Sequence, residues 1–153
     1  MRKLFLILFF ILINNCSGYK PIFSENSLNY NLGTITSKNQ NILSRKFITK
    51  LKRYYKKDSD NKIIETINLV LETESQEKVI SKDVKGDPIL YEIKLLVNVE
   101  YIKNAKSKTK KYSEVFTYQN QSNKFELNQY KTNILNNLIE RIFGQIILDL
   151  ALI

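Results

Sequence analysis

Histidine and tryptophan are absent from the 153 residues, and there are one cysteine, four glycines and two prolines. Each shortage removes a class of chemistry. Without histidine there is no Ser-His-Asp triad, no His-ligated metal and no His-ligated haem. One cysteine cannot close an internal disulfide, form a CxxC redox pair or build a zinc cage. Phosphate-cradling loops need closely spaced glycines, and neither GxxxxGK nor GxGxxG occurs. Carboxylates such as Glu92 and Glu100 alternate outward along a strand-like segment and read as surface acids. The expectation is a protein without catalysis, cofactor or metal. What is abundant is positive charge: 24 Lys+Arg against 15 Asp+Glu, a formal net charge of +9. The length suits one domain of about 100–200 residues.

The chain opens with a basic Met1-Arg2-Lys3 and an unbroken apolar run from Leu4 to Ile13. A spanning helix needs about 20 apolar residues, so this run is too short to anchor stably. A basic segment followed by an apolar stretch of roughly 7–15 residues is the pattern of a secretory signal. The lone Cys16 falls where cleavage is expected. Ile13-Asn14-Asn15-Cys16 resembles a bacterial lipobox, with an aliphatic residue three before the cysteine and Asn15 where a small residue is usual. A thiol there accepts a diacylglyceryl group, and each buried CH₂ of such chains contributes about 0.8 kcal/mol of membrane affinity. Cys16 is therefore the expected lipidation site, and Ser17 after it leans toward the outer membrane. Residues 1–15 form the expected cleaved signal, 16–31 a polar tether and 32–153 a single domain. Cleavage removes Arg2 and Lys3, and the formal charge falls by two. Export also excludes nucleic acid as the polyanion that a basic chain would otherwise suggest.

Within the domain, Leu32–Thr36 has a short strand pattern. Asn39 or Asn41 caps an amphipathic helix to about Lys57, apolar at Leu43, Phe47, Leu51 and Tyr54. Its other face carries Arg45, Lys46, Lys50, Lys52, Arg53, Lys56 and Lys57. Three strand-like stretches follow at Ile63–Thr73, Leu90–Lys103 and Lys111–Gln121. The middle one is clearest, with Tyr91, Ile93, Leu95, Val97, Val99 and Tyr101 at period two. Gly86-Asp87-Pro88 marks a turn in the link Val79–Ile89, into which Val79, Ile80 and Val84 suggest that the strand edges extend, and Asn104–Lys110 reads as a charged hairpin tip. Ser122 or Asn123 caps a last helix over about Phe125–Ile153, whose end from Ile142 is apolar nearly all round and expects enclosure, in part by a partner. The crossover makes the first two strands parallel and the hairpins make the rest antiparallel. The expected fold is α+β: two helices packed on one face of a four-stranded mixed sheet, order β-α-β-β-β-α.

Three features give this chain a family resemblance. Cys16-Ser17-Gly18-Tyr19-Lys20-Pro21-Ile22-Phe23 is similar to a "CGF-x-PLY" opening. The element order matches along the mature length. The passage Thr117-Tyr118-Gln119-Asn120-Gln121-Ser122-Asn123-Lys124-Phe125 is similar to a "sYn…s-x-yA" strand-to-helix junction. The chain thus resembles the LPS-assembly lipoprotein LptE, of alphaproteobacterial type. The resemblance implies a lipid-anchored, periplasm-facing outer-membrane protein that pairs one-to-one with an LptD-like β-barrel as plug and assembly partner, contacts lipopolysaccharide and catalyses no reaction. Two basic clusters are candidates for lipopolysaccharide or barrel contact, because phosphates and acidic sugars pair with Lys and Arg: Lys103, Lys106, Lys108, Lys110 and Lys111 at the hairpin tip, and Arg45, Lys46, Lys50 and Arg53 on the first helix. Against this stands a generic periplasm-facing lipoprotein module that binds a peptide or small ligand in an apolar pocket. A solvated basic face is the plain alternative for both clusters.

Overall fold

The computed structural model describes residues 30–55 and 65–152. The signal-like tract, Cys16 and most of the expected tether lie outside the described residues. Six elements follow in order: β1 (Tyr30–Ser37), α1 (Ile42–Tyr54), β2 (Glu65–Lys82), β3 (Pro88–Lys103), β4 (Lys106–Gln119) and α2 (Lys124–Ala151). The sheet order is β1-β2-β3-β4. The β1–β2 pair is parallel and the other two pairs are antiparallel. This is the α+β arrangement expected from the sequence.

The alternation of β3 decides the layering. Ile93, Leu95, Val97, Val99 and Tyr101 are buried, while the residues between them are half-exposed. Register carries the same face into β2 through Ile67, Leu69, Leu71 and Thr73, and into β4 through Tyr112 and Tyr118. Phe47 and Leu51 of α1 and a row from Leu127 to Leu150 of α2 close the core from one side. The opposite sheet face has no helix over it among the described residues. Lys46, Lys50 and Tyr54 meet Asn136, Glu140 and Phe143 in the same order, so the two helices run parallel. Among the described residues the core runs from Ile35 to Leu150.

Several boundaries differ from the sequence reading. β1 starts at Tyr30, inside the stretch assigned to the tether. β2 runs on through the expected link to Lys82, and β4 starts at Lys106 instead of Lys111. The β3–β4 tip is therefore only Asn104 and Ala105, both at positive φ (49° and 62°), the two-residue turn whose twist suits a tight hairpin. The lysines assigned to a loop lie on a strand. The end of α2 is enclosed mainly by its own sheet: Ile142, Ile146, Ile147 and Leu150 are buried, and Leu148 and Leu152 are left exposed.

The start of β1 needs a glycine. The register slips between Leu32 and Ile35, and a Cβ on Gly33 would lie 2.2 Å from Asn68 Oδ1. That same oxygen accepts from the Thr34 backbone N–H at 2.8 Å.

The junction of β1 and α1 is held by a compact polar network. Asn41 caps α1, its Oδ1 accepting from the Ser44 N–H at 2.8 Å. The same side chain accepts from Thr73 Oγ1 and donates to the Thr73 carbonyl, both at 2.9 Å. Asn39 donates to that carbonyl at 2.7 Å and accepts from the Thr73 N–H at 3.2 Å. Ser44 and Thr73 are buried with their hydroxyls 2.9 Å apart. Asn41→Ala removes a cap and leaves Thr73 groups short of partners. The expected cost is about 2 kcal/mol, read as a lower urea midpoint at unchanged slope.

Candidate functional site: two basic surfaces and the clamps beside them

The two lysine- and arginine-rich clusters do not form one site. On α1, the residues Arg45, Lys46, Lys50 and Arg53 line a shallow groove of ≈520 Å³ between the helices, floored by Ile42 and Ile139. Lys50 donates to both carboxylate oxygens of Glu140, at 2.5 and 2.7 Å, and sits 4.9 Å above the Phe143 ring. Lys46 donates to Asn136 at 2.9 Å. Arg45 and Arg53 are exposed and have no carboxylate partner among the described residues.

The hairpin cluster is divided by strand alternation. Lys106, Lys108 and Lys110 share the helix-side face with Tyr112, whereas Lys111 points to the open face. Lys103 pairs with Glu65 at 2.6 Å, and Lys110 pairs with Asp149 at 2.6 Å. Lys106, Lys108 and Lys111 are exposed. Lys106 and Lys108 stand on the same face as Lys110, which grips Asp149 in the last turn of α2. Positive charge there offsets the negative end of the helix dipole. Part of this cluster therefore has a structural task.

That task belongs to a clamp the sequence did not disclose. Tyr112 Oη donates to Asp149 Oδ2 at 2.5 Å, and the Tyr101 and Tyr112 hydroxyls are 2.5 Å apart. Burial would push the Asp149 carboxyl up, but the hydrogen bonds from Lys110 and Tyr112 and the Lys110 charge outweigh it and hold it below the ordinary range. Burial, then the hydrogen bond to Asp149, push Tyr112 far up. Tyr101 is raised to about 12, chiefly by burial. A second clamp grips the start of α2. Tyr118 Oη donates to Glu77 Oε1, and Lys131 donates to the same oxygen at 2.6 Å. The Lys131 ammonium also lies 5.3 Å from the Tyr91 ring centroid and 5.7 Å from that of Tyr118. Burial opposes ionisation of Glu77, and the bonds from Lys131 and Tyr118 overcome it, so this carboxyl too is held down.

The Asp149 and Glu77 carboxyls are thus held down, and the Tyr101, Tyr112 and Tyr118 hydroxyls are pushed up. At neutral pH the tyrosines stay protonated and the carboxylates ionised, so the hydroxyl and ammonium donors hold the carboxylates and fasten the helix. No group of His, Cys, Asp and Glu that could hold a metal occurs among the described residues. No described helix is long and apolar enough to cross a membrane.

No family model matches the sequence, and no curated protein matches it. The fold does have solved counterparts. The rare lipoprotein B of Shewanella oneidensis superposes with a TM-score of 0.60 at 15% identity, over 79% of this chain and 94% of that one. A putative lipoprotein of Caulobacter crescentus gives 0.57 at 12% identity, over 86% and 93%. Lipoprotein B of Nitrosomonas europaea gives 0.58 at 12% identity, over 84% and 87%. At such identities the likeness shows a shared fold, and all three neighbours are bacterial lipoproteins.

Proposed function

We propose that the chain is an outer-membrane lipoprotein, acylated at Cys16. In this reading it acts as plug and assembly partner of an LptD-like β-barrel in lipopolysaccharide transport. The observation that carries it is the shared β-α-β-β-β-α fold with bacterial lipoproteins across most of both chains. The sequence adds the apolar run ending at Cys16 and the short opening motif. The open sheet face supplies surface suited to a barrel lumen, with Glu72, Lys94, Asn98, Glu100 and Lys111 alongside half-buried Leu96 and Ile102. The exposed cations Arg45, Arg53, Lys106 and Lys108 would meet lipopolysaccharide phosphates or acidic barrel side chains.

Purification of the tagged full-length protein from its native envelope in mild detergent tests the reading. A one-to-one complex with a large β-barrel that survives size exclusion is expected. Recovery of the lipoprotein without any barrel refutes it.

A further inference from the structure

β2 outruns its parallel neighbour. The last β1–β2 pair is Ser37 with Leu71, and the Lys38 N–H then bonds the Leu71 carbonyl at 2.8 Å. In the next row, Asn39 and Asn41 satisfy the N–H and C=O of Thr73 with their side-chain amides. Backbone groups along a strand point alternately to its two neighbours. Thr73 faces the β1 side, so Ser75, Glu77 and Val79 do as well, and no described strand lies beside them. Edges of this kind are usually blocked by a bulge, a proline or free lysines. Here the bulge comes only after Val79. Lys78 is tied to Glu92 at 2.9 Å, and Glu77 is tied to Lys131. The other edge of the sheet, β4, does carry a lysine guard at the exposed Lys106, Lys108 and Lys111.

This edge borders a cleft. A space of ≈950 Å³ wraps around β2 at Thr73–Ser75, at the upper end of the range of ligand pockets. Ile42, Leu43 and Leu135 line it on the helix side, with Arg45 and Lys46 at the rim. Ile42 is 65% exposed. On the open side, Glu72 and Glu74 flank Leu96. The open edge is six residues, about 20 Å, long, and the apolar and cationic lining of the cleft meets it at its start, Glu74 and Ser75.

We infer that the β2 edge from Glu74 to Val79 binds an extended polypeptide segment of a partner as an added strand. One apolar side chain of that segment seats against Ile42, Leu43 and Leu135, and an acidic neighbour faces Arg45 and Lys46. Main-chain hydrogen bonds supply affinity in such strand addition, and the pocket for alternate side chains supplies selectivity. The inference goes beyond the barrel reading and does not need it, since it concerns a surface of the isolated domain.

The test uses the full-length protein in mild detergent and short random peptides displayed on phage. Enriched sequences are expected to alternate apolar and polar residues and to include an acid. The best synthetic peptide is expected to shift the amide resonances of Ser75, Glu77 and Val79. Methylating its alternate backbone nitrogens should weaken binding at least about tenfold. Ser75→Pro should do the same at unchanged melting temperature, because it removes an N–H that points off the edge, where proline is tolerated. Ile42→Glu, on an exposed side chain, should weaken binding similarly and keeps the question open to measurement if the proline variant folds poorly. The inference is overturned by no enrichment over bare resin, by equal binding of the methylated peptide, or by shifts elsewhere. It is equally overturned if these amides shift with protein concentration alone, which assigns the edge to a second copy of the chain.

Discussion

Cys16→Ser is expected to move the protein almost entirely from the membrane pellet to the aqueous fraction of broken cells. One myristoyl-sized chain gives only marginal, reversible binding, with an association constant near ~10⁴ M⁻¹. Two or three acyl chains, at about 0.8 kcal/mol per buried CH₂, hold a protein on the bilayer for good. The apolar run from Leu4 to Ile13 is too short to replace them as a stable span. The measurement is fractionation together with intact mass of the mature N-terminus. An acylated Cys16 as first residue in the wild type, and none in the variant, is the expected pair of results. An unacylated wild-type N-terminus refutes the assignment. Asn15 adds a kinetic corollary. It stands where processing favours a small residue, so Asn15→Gly should shorten the life of the precursor in a pulse-chase without changing the mature mass.

Much of the architecture was legible because one face of each central strand is buried. Ile93, Leu95, Val97, Val99 and Tyr101 alternate with residues that are polar except at Leu96, the pattern of a sheet with a wet side and a dry side. The same reason explains what was missed. From Glu74 to Lys82, β2 is exposed nearly throughout, and so is β4 from Lys106 to Lys111. There each segment is an edge of the sheet, its residues on both faces are exposed and no alternation is written in the sequence. Those segments become strands because β3 holds them in register from Lys82↔Pro88 to Lys103↔Lys106. Helix caps were legible as a choice of two, Asn39 or Asn41, and the structure uses both: one caps, and both close the backbone of Thr73.

Of the candidate site, the cations were visible as composition but not as geometry. Lys50 and Lys110 looked equivalent to Arg53 and Lys108. The first two are spent on Glu140 and Asp149, while the others are exposed. Which lysine is paired depends on residues 39 to 90 positions away, a separation no local pattern records. The β2 edge escaped for a similar reason: it exists only because β1 stops three residues short of where a neighbour would be needed.

Asp149→Ala is expected to lower stability by roughly 1–3 kcal/mol, the cost of stripping a partner from a buried hydrogen-bonding group. It would leave the Tyr112 hydroxyl, 4% exposed as a residue, with Tyr101 alone. Tyr112→Phe should cost a similar amount, and the double variant should cost less than the sum, because each change removes the same bond. The clamp also sets the shape of the stability–pH curve. The folded Asp149 carboxyl lies below its ordinary value of 3.8, and Glu77 lies below 4.5. Depressed acids stabilise the fold above their unfolded values, and the stabilisation is lost as pH falls through the folded ones. Melting temperature should therefore hold steady above about pH 4.5 and fall below it. The tyrosines act in the opposite sense. Tyr101, ordinarily near 10 and here about 12, contributes below pH 10 and loses that contribution as pH rises toward 12. Thermal unfolding across pH should show a plateau with two shoulders. In Asp149→Ala the acid shoulder should shrink, leaving Glu77 and Glu65, whose carboxyls are also held down, to carry it, and the alkaline shoulder should shrink too, because Tyr112 loses the carboxylate that helped keep it protonated. An unchanged acid shoulder in that variant would show that other carboxylates set the response, and that Asp149 anchors α2 by packing alone.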